Sequence, residues 1–152
     1  MATSITISVI RSDVYTEVEK ATDYIGAKLI DGDENARDRI VAGDSDLSNL
    51  GRFWTEAANQ INERFKAMLM NSADSTTSHQ FTLEVSKSYD TALNGSVQSL
   101  LQSYFIAFII GQWFRFANKG ESANYFMEAE DLLTSAERLL YSRKKPSVPT
   151  RE

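Results

Sequence analysis

The chain contains no cysteine. That excludes a disulfide framework, a thiolate nucleophile and any zinc site built on sulfur. Histidine is nearly as scarce, with a single residue, His79. The two-imidazole motif of helical zinc proteases is therefore excluded, and so is a di-iron bundle site with its repeated Glu-x-x-His pattern. Helix breakers are few as well, with two prolines and seven glycines in 152 residues. Their scarcity, beside abundant Ala, Leu and Glu, favours a mainly helical fold. An excess of positive charge is also missing: 16 Lys and Arg face 21 Asp and Glu, a net charge of −5. Nucleic acid is thus not the default partner.

Long apolar runs are missing too. The longest is YFIAFII, Tyr104 to Ile110, inside LLQSYFIAFIIGQWFRF at Leu100–Phe116. A membrane-spanning helix needs about 20 predominantly apolar residues. Here Gln102, Ser103, Gln112 and Arg115 interrupt the window, so the segment reads as a helix buried inside a bundle or an assembly. The first residues, MATSITISVIRSD, lack the basic and apolar regions of a secretory signal and are not read as one.

What is present is periodicity. Ile5, Ile7 and Val9 alternate with Thr6 and Ser8, the signature of a short strand. Val14, Val18, Ala21, Ile25 and Leu29 recur at helical spacing behind Ser12 and Asp13, which predicts a helix from Asp13 to Leu29. The run DGDEN, Asp31–Asn35, ends it, followed by a short helix over Glu34–Val41. A calcium loop starting at Asp31 fails at its two anchors, where Ala36 replaces Gly and Ala42 replaces Glu. Leu47, Leu50, Trp54, Ala57, Ala58, Ile61, Phe65, Met68 and Leu69 then step by three or four, predicting an amphipathic helix over Leu47–Met70. Its aromatic stripe reads as core and not as a ligand box.

NSADSTTSHQ, Asn71–Gln80, reads as a polar, mobile loop, and FTLEVS, Phe81–Ser86, as a second strand that could pair with the first. A helix opened by Asp90 or Thr91 runs to Asn118. Lys119-Gly120 stops it, with Gly120 expected in the left-handed conformation. A last helix covers Ser122–Tyr141. The expectation is a mainly α fold: a bundle of four to five helices with a small two-stranded β element. Residues 1–142 form one domain and 143–152 a basic, flexible tail.

Phosphate-binding loops, dinucleotide fingerprints and nucleophile elbows are all absent from the sequence. A Ser-His-acid triad would have to use His79 in the polar loop. The reading is therefore of a protein that is not an enzyme and carries no cofactor or metal. The candidate contact residues lie in the two polar segments that have least reason to pack alone: Ser75, Thr76, Thr77 and His79 in the loop, and Arg143, Lys144, Lys145 and Arg151 in the tail.

Five blocks carry a resemblance: DYIGAK at Asp23–Lys28, RFWTEAAN at Arg52–Asn59, DTALNGSVQ at Asp90–Gln98, GQWF at Gly111–Phe114 and LYSRKKP at Leu140–Pro146. In these and in element order the chain resembles small structural proteins of tailed-phage and prophage morphogenesis clusters, of the head–tail connector (adaptor or neck) type. The N-terminal ITISVI and the acidic DGDEN connection depart from that pattern. The resemblance implies a virion protein assembled in the bacterial host cytoplasm. It would form a ring of its own copies below the portal, touch portal and tail or neck proteins, lie close to DNA in a channel, and meet no membrane. The reading from a different class is a soluble helical regulatory or protein-binding module.

Overall fold

The computed structural model describes residues 3–28, 47–117 and 119–143. Among them are four α-helices and one three-stranded antiparallel sheet. The mainly helical expectation holds, while the β element has a third strand. The short helix expected over Glu34–Val41 and the rejected calcium loop both lie outside the described residues.

Strand β1, Thr3–Ile10, runs straight into helix α1, Arg11–Lys28. Ile5, Ile7 and Val9 are buried while Thr3, Ser4 and Thr6 are exposed, as the alternation requires. Helix α2 covers Leu47–Arg64 and buries Leu50, Trp54, Ala57, Ala58, Ile61 and, just beyond its end, Phe65 and Met68. It stops six residues short of the expected Met70. The Met68 N–H turns back to the Phe65 carbonyl (2.9 Å), and the Met68 carbonyl then accepts from Glu84 (2.7 Å), already in sheet geometry. The apolar spacing of Phe65, Met68 and Leu69 suits either conformation, so pairing with a neighbouring strand decides it.

That pairing forms strands β2, Leu69–Asp74, and β3, Ser78–Val85, in the order β1-β3-β2. The segment read as a polar, mobile loop is therefore a β-hairpin. Its phase is fixed at both edges. Arg11 N–H bonds the Thr77 carbonyl (2.8 Å), and Ser75 N–H bonds the Ser78 carbonyl (2.9 Å). Antiparallel alternation then makes Asn71/Thr82 and Ala73/Gln80 the hydrogen-bonding pairs of the hairpin. The peptide groups of Ser72 and Asp74 turn outward, and among the described residues no strand pairs with the outer edge of β1 or β2.

Asp90 caps a single 3₁₀ turn, Thr91–Leu93, its Oδ1 accepting from Ala92 N–H (3.0 Å). Helix α3, Asn94–Ala117, follows and carries the apolar run through the middle of the molecule. By length and composition this helix is apolar enough to cross a membrane. From Tyr104 to Phe114 every residue but Ile106 and Trp113 is buried, and those two are half-buried. The covering elements are α1, α2, β1 and helix α4, Lys119–Tyr141. Phe105 sits at the junction of layers, its ring 4.3 Å from that of Trp54 and 6.3 Å from that of Phe81. Helices α3 and α4 pack against each other as an αα-hairpin, but α4 starts at Lys119 and not at Ser122, and among the described residues no glycine takes a positive φ. The close approach falls at Gly111 instead. A Cβ there would stand 3.0 Å from the Phe126 ring, and Ser122 Oγ donates to the Gly111 carbonyl (3.0 Å).

Candidate functional site at the hairpin end of the sheet

The inward face of the sheet is apolar along most of its length, with Ile5, Ile7 and Val9 beside Phe81, Leu83 and Val85. At the hairpin end it becomes polar. Ser72 and Asp74 share one side of β2, because residues two apart in a strand point the same way. Asp74 stands opposite His79 and Ser72 opposite Phe81, both in non-hydrogen-bonded pairs, where side chains lie closest. His79 is 5 % exposed and rests on the Phe81 ring at 4.5 Å.

Four side chains converge on the Asp74 carboxylate or its partner. Trp54 Nε1 donates to Oδ1 at 2.9 Å. Arg11 Nη2 reaches both oxygens, at 3.2 and 3.1 Å. His79 Nδ1 lies 3.3 Å from Oδ1, and on its far side Nε2 is 2.6 Å from Ser72 Oγ. The Arg11 guanidinium also covers the Trp54 ring at 5.0 Å, and Tyr15 meets that ring edge-on at 6.2 Å. The cluster thereby ties the start of α1, the middle of α2 and the β2–β3 hairpin together.

Electrostatics set the protonation states. Burial alone would raise the Asp74 pKa. Hydrogen bonds from Trp54 and His79 and the charge of Arg11 outweigh burial and hold the carboxyl below its ordinary value. Burial pushes the His79 pKa down, partly offset by Asp74, while Arg11 adds to the lowering. Near neutral pH the imidazole is uncharged beside an ionised carboxylate. That carboxylate can only accept, so Nδ1 carries the proton and Nε2 accepts from the Ser72 hydroxyl. Two outcomes are available to such a row. It satisfies the polar groups where the core meets solvent, and it sets serine, imidazole and carboxylate in the order that activates a hydroxyl.

Of the residues expected to meet partners, Ser75, Thr76 and Thr77 are exposed in the hairpin turn. Ser75 Oγ organises the turn, accepting from the N–H groups of Thr77 (3.3 Å) and Ser78 (3.0 Å). His79 is buried behind them and is not presented to a partner. Arg143 is exposed just past α4, and no hydrogen bond or ion pair among the described residues joins it to the hairpin. Lys144, Lys145 and Arg151 lie outside the described residues. Sequence reasoning missed Ser72, Asp74, Arg11 and Trp54 as a group. The one available signal was the polar pair Ser72/Asp74 two apart, with His79 across a short Ser/Thr turn.

Away from this cluster, an open cleft of about 510 Å³ lies beside the α3–α4 connection, lined by Arg115, Ser122, Ala123 and Phe126. No family model, curated protein or solved structure matches the chain.

Proposed function

We propose that this protein is a structural assembly subunit of a tailed-phage head–tail junction, of the connector or adaptor type. In this reading it forms a ring of its own copies below the portal and contacts portal and tail or neck proteins. It is a virion protein, assembled in the host cytoplasm, whose task at the junction is structural. The resemblance of the five sequence blocks suggests the setting. The observation that carries the reading is the uncharged, eight-residue strand β1, TSITISVI, whose outer edge no strand pairs among the described residues, on an acidic chain.

An open edge offers a row of unpaired N–H and C=O groups, which proteins commonly shield with charge, proline or a bulge. Strand β1 has neither charge nor proline, and the one register shift lies in β2, between Leu69 and Asn71. The sheet therefore has two unlike edges. Joining unlike edges from copy to copy is a head-to-tail contact of the kind that closes rings. The apolar centre of α3, Tyr104–Phe114, is covered within one chain apart from the half-buried Ile106 and Trp113, and so gives the assembly reading little support. Copies would meet through edges and arms, and not through an uncovered helix.

Light scattering after gel filtration in detergent-free buffer, with negative-stain images of the same peak, tests the proposal. A ring of many copies that is lost on Thr6→Lys, a charge set on the exposed side of β1, supports it. A single-copy mass at every concentration refutes self-assembly. A helical protein-binding module is the second reading, favoured by the cleft at Arg115 and Phe126. It predicts that single-copy mass together with a small partner whose binding is lost on Phe126→Ala.

A further inference from the structure

We propose that Ser72 is a nucleophilic serine, activated by His79 and held in line by Asp74, that accepts acyl groups from carboxylic esters approaching the open edge of β2. The proposal concerns the single copy, in which the β2 edge is unpaired among the described residues; edge-to-edge joining in a ring would occupy the Ser72 N–H. The proposal stands on three features of the same hairpin. First, the three groups form one hydrogen-bonded row, Ser72 Oγ to His79 Nε2 at 2.6 Å and His79 Nδ1 to Asp74 Oδ1 at 3.3 Å. A nucleophile within reach of its base, with the base oriented by a third group, is the arrangement that activates a hydroxyl. Second, the orienting carboxylate is itself fixed. Trp54 and Arg11 hold Asp74 from two other elements, so the imidazole is aimed by a rigid shell and not by a free side chain. Third, Ser72 lies on an edge strand and is only partly buried. The ladder phase turns its own N–H toward the open edge, where a developing oxyanion could take that hydrogen bond.

The chemistry balances without a cofactor. Ser72 Oγ bonds the ester's acyl carbon, and its proton passes to His79 Nε2. The ester C–O bond breaks, and the leaving oxygen takes that proton and departs as an alcohol. Water then attacks the acyl carbon, giving a proton to Nε2. The bond to Oγ breaks, the proton returns to Ser72, and a carboxylic acid leaves. Asp74 stays ionised throughout, facing the transient imidazolium. Arg11 and Trp54 are positioning residues, since they act on the row through their hydrogen bonds to Asp74.

Ser75 and Ser78 sit on the same hairpin, the hydrogen bonds of the His79 ring going to Ser72 and Asp74, and they serve as internal controls. The native full-length chain would be treated with an alkyl fluorophosphonate and the adduct mapped by peptide mass spectrometry. The expected result is a single adduct at Ser72, formed roughly a hundredfold faster than at Ser75 or Ser78. The preference should vanish in urea and on Ser72→Ala. It should fall at least about tenfold on His79→Gln in a sample shown folded by circular dichroism. If His79→Gln does not fold, the wild-type pH profile decides. The charged groups acting on His79 are Asp74 from β2 and Arg11 from α1, and Tyr15 from α1 in turn feels those two. Labelling at Ser72 must drop with acid while labelling at Ser75 does not. Ser72 reacting no faster than Ser75, a folded His79→Gln with unchanged labelling, or a flat pH profile overturns the proposal and leaves the row a purely structural one.

Discussion

Phe105→Ala is the substitution that most directly tests the architecture. Phe105 is fully buried near the middle of α3 and meets Trp54 from α2 at 4.3 Å and Phe81 from β3 at 6.3 Å. Truncating a buried Phe to Ala costs about 3–5 kcal/mol, more where the surroundings cannot collapse into the void. Two of the neighbours here are large rings. Trp54 is tethered by its N–H to Asp74 and Phe81 is fixed in the central strand, so little collapse is available. The upper half of the range follows, about 4–5 kcal/mol, including the lost ring–ring contact. At this chain length each kcal/mol lowers the melting temperature by roughly 2–4 °C, so a fall of about 8–20 °C is expected. Urea unfolding followed by far-UV circular dichroism gives the free energy, and Met127→Ala supplies the control. Met127 is 69 % exposed, and a surface change of that kind stays within about 0.5 kcal/mol. A loss below about 1 kcal/mol for Phe105→Ala would refute the packing described, because no fully enclosed Phe is removed that cheaply. Equal effects of the two substitutions would refute it as well.

Three further outcomes follow from the same contacts. Trp54→Phe keeps most of the ring but deletes the donor to Asp74, and should cost about 1–2 kcal/mol in urea unfolding, since the carboxylate is partly solvated. Combined with Asp74→Ala, which removes the acceptor, the two losses should fall short of additive by at least about 0.5 kcal/mol, and strict additivity would mean the bond contributes nothing. Burial holds His79 below its ordinary value of 6.5, so the unfolded chain takes up the proton first. Stability present above about pH 6.5 should therefore be lost as pH falls toward the folded-state pKa, with Asp74 adding to the loss at lower pH. His79→Gln should flatten the difference between urea midpoints measured at about pH 7.5 and 5.5, and an unchanged difference would exclude His79 as its source. Gly111→Ala gains about 1 kcal/mol of helix propensity but sets a Cβ 3.0 Å from the Phe126 ring, an overpacking cost of about 1–3 kcal/mol. A net loss of up to about 2 kcal/mol is expected by thermal melting, relieved by Phe126→Leu; a gain in stability would show that the ring moves freely into the adjoining cleft.

Much of the fold is legible where side-chain period and burial agree. The alternation of Ile5, Ile7 and Val9 maps onto β1, and the three-to-four spacing from Leu50 to Ile61 maps onto α2. The run Tyr104–Ile110 is the buried centre of α3. Strand β2 was illegible for a specific reason. Its inward residues are Ser72 and Asp74, so it shows no apolar alternation, and its Asn, Ser and Asp content reads as loop. The end of α2 was misplaced because Phe65 and Met68 are buried by either continuation, and only the backbone bond from Glu84 to Met68 selects the strand. Gly120 was read as a left-handed stop because glycine often plays that role, but α4 begins at Lys119 and Gly120 lies within it.

By itself, the sequence determined what depends on composition and local period: a mainly helical chain without thiol chemistry, a short first strand, and an apolar helix at the centre. Those properties are set within one or two turns of chain, where a side chain's neighbours are its own sequence neighbours. Only the tertiary structure decided that a polar stretch would form a hairpin between Met68 and Val85, and that its His79 would be buried beside Asp74. Only it placed Arg11 and Trp54, 63 and 20 residues away from Asp74, on the same carboxylate. Such a cluster leaves no periodic trace, because strand pairing and helix packing bring its members together across the chain, and no local pattern encodes those distances.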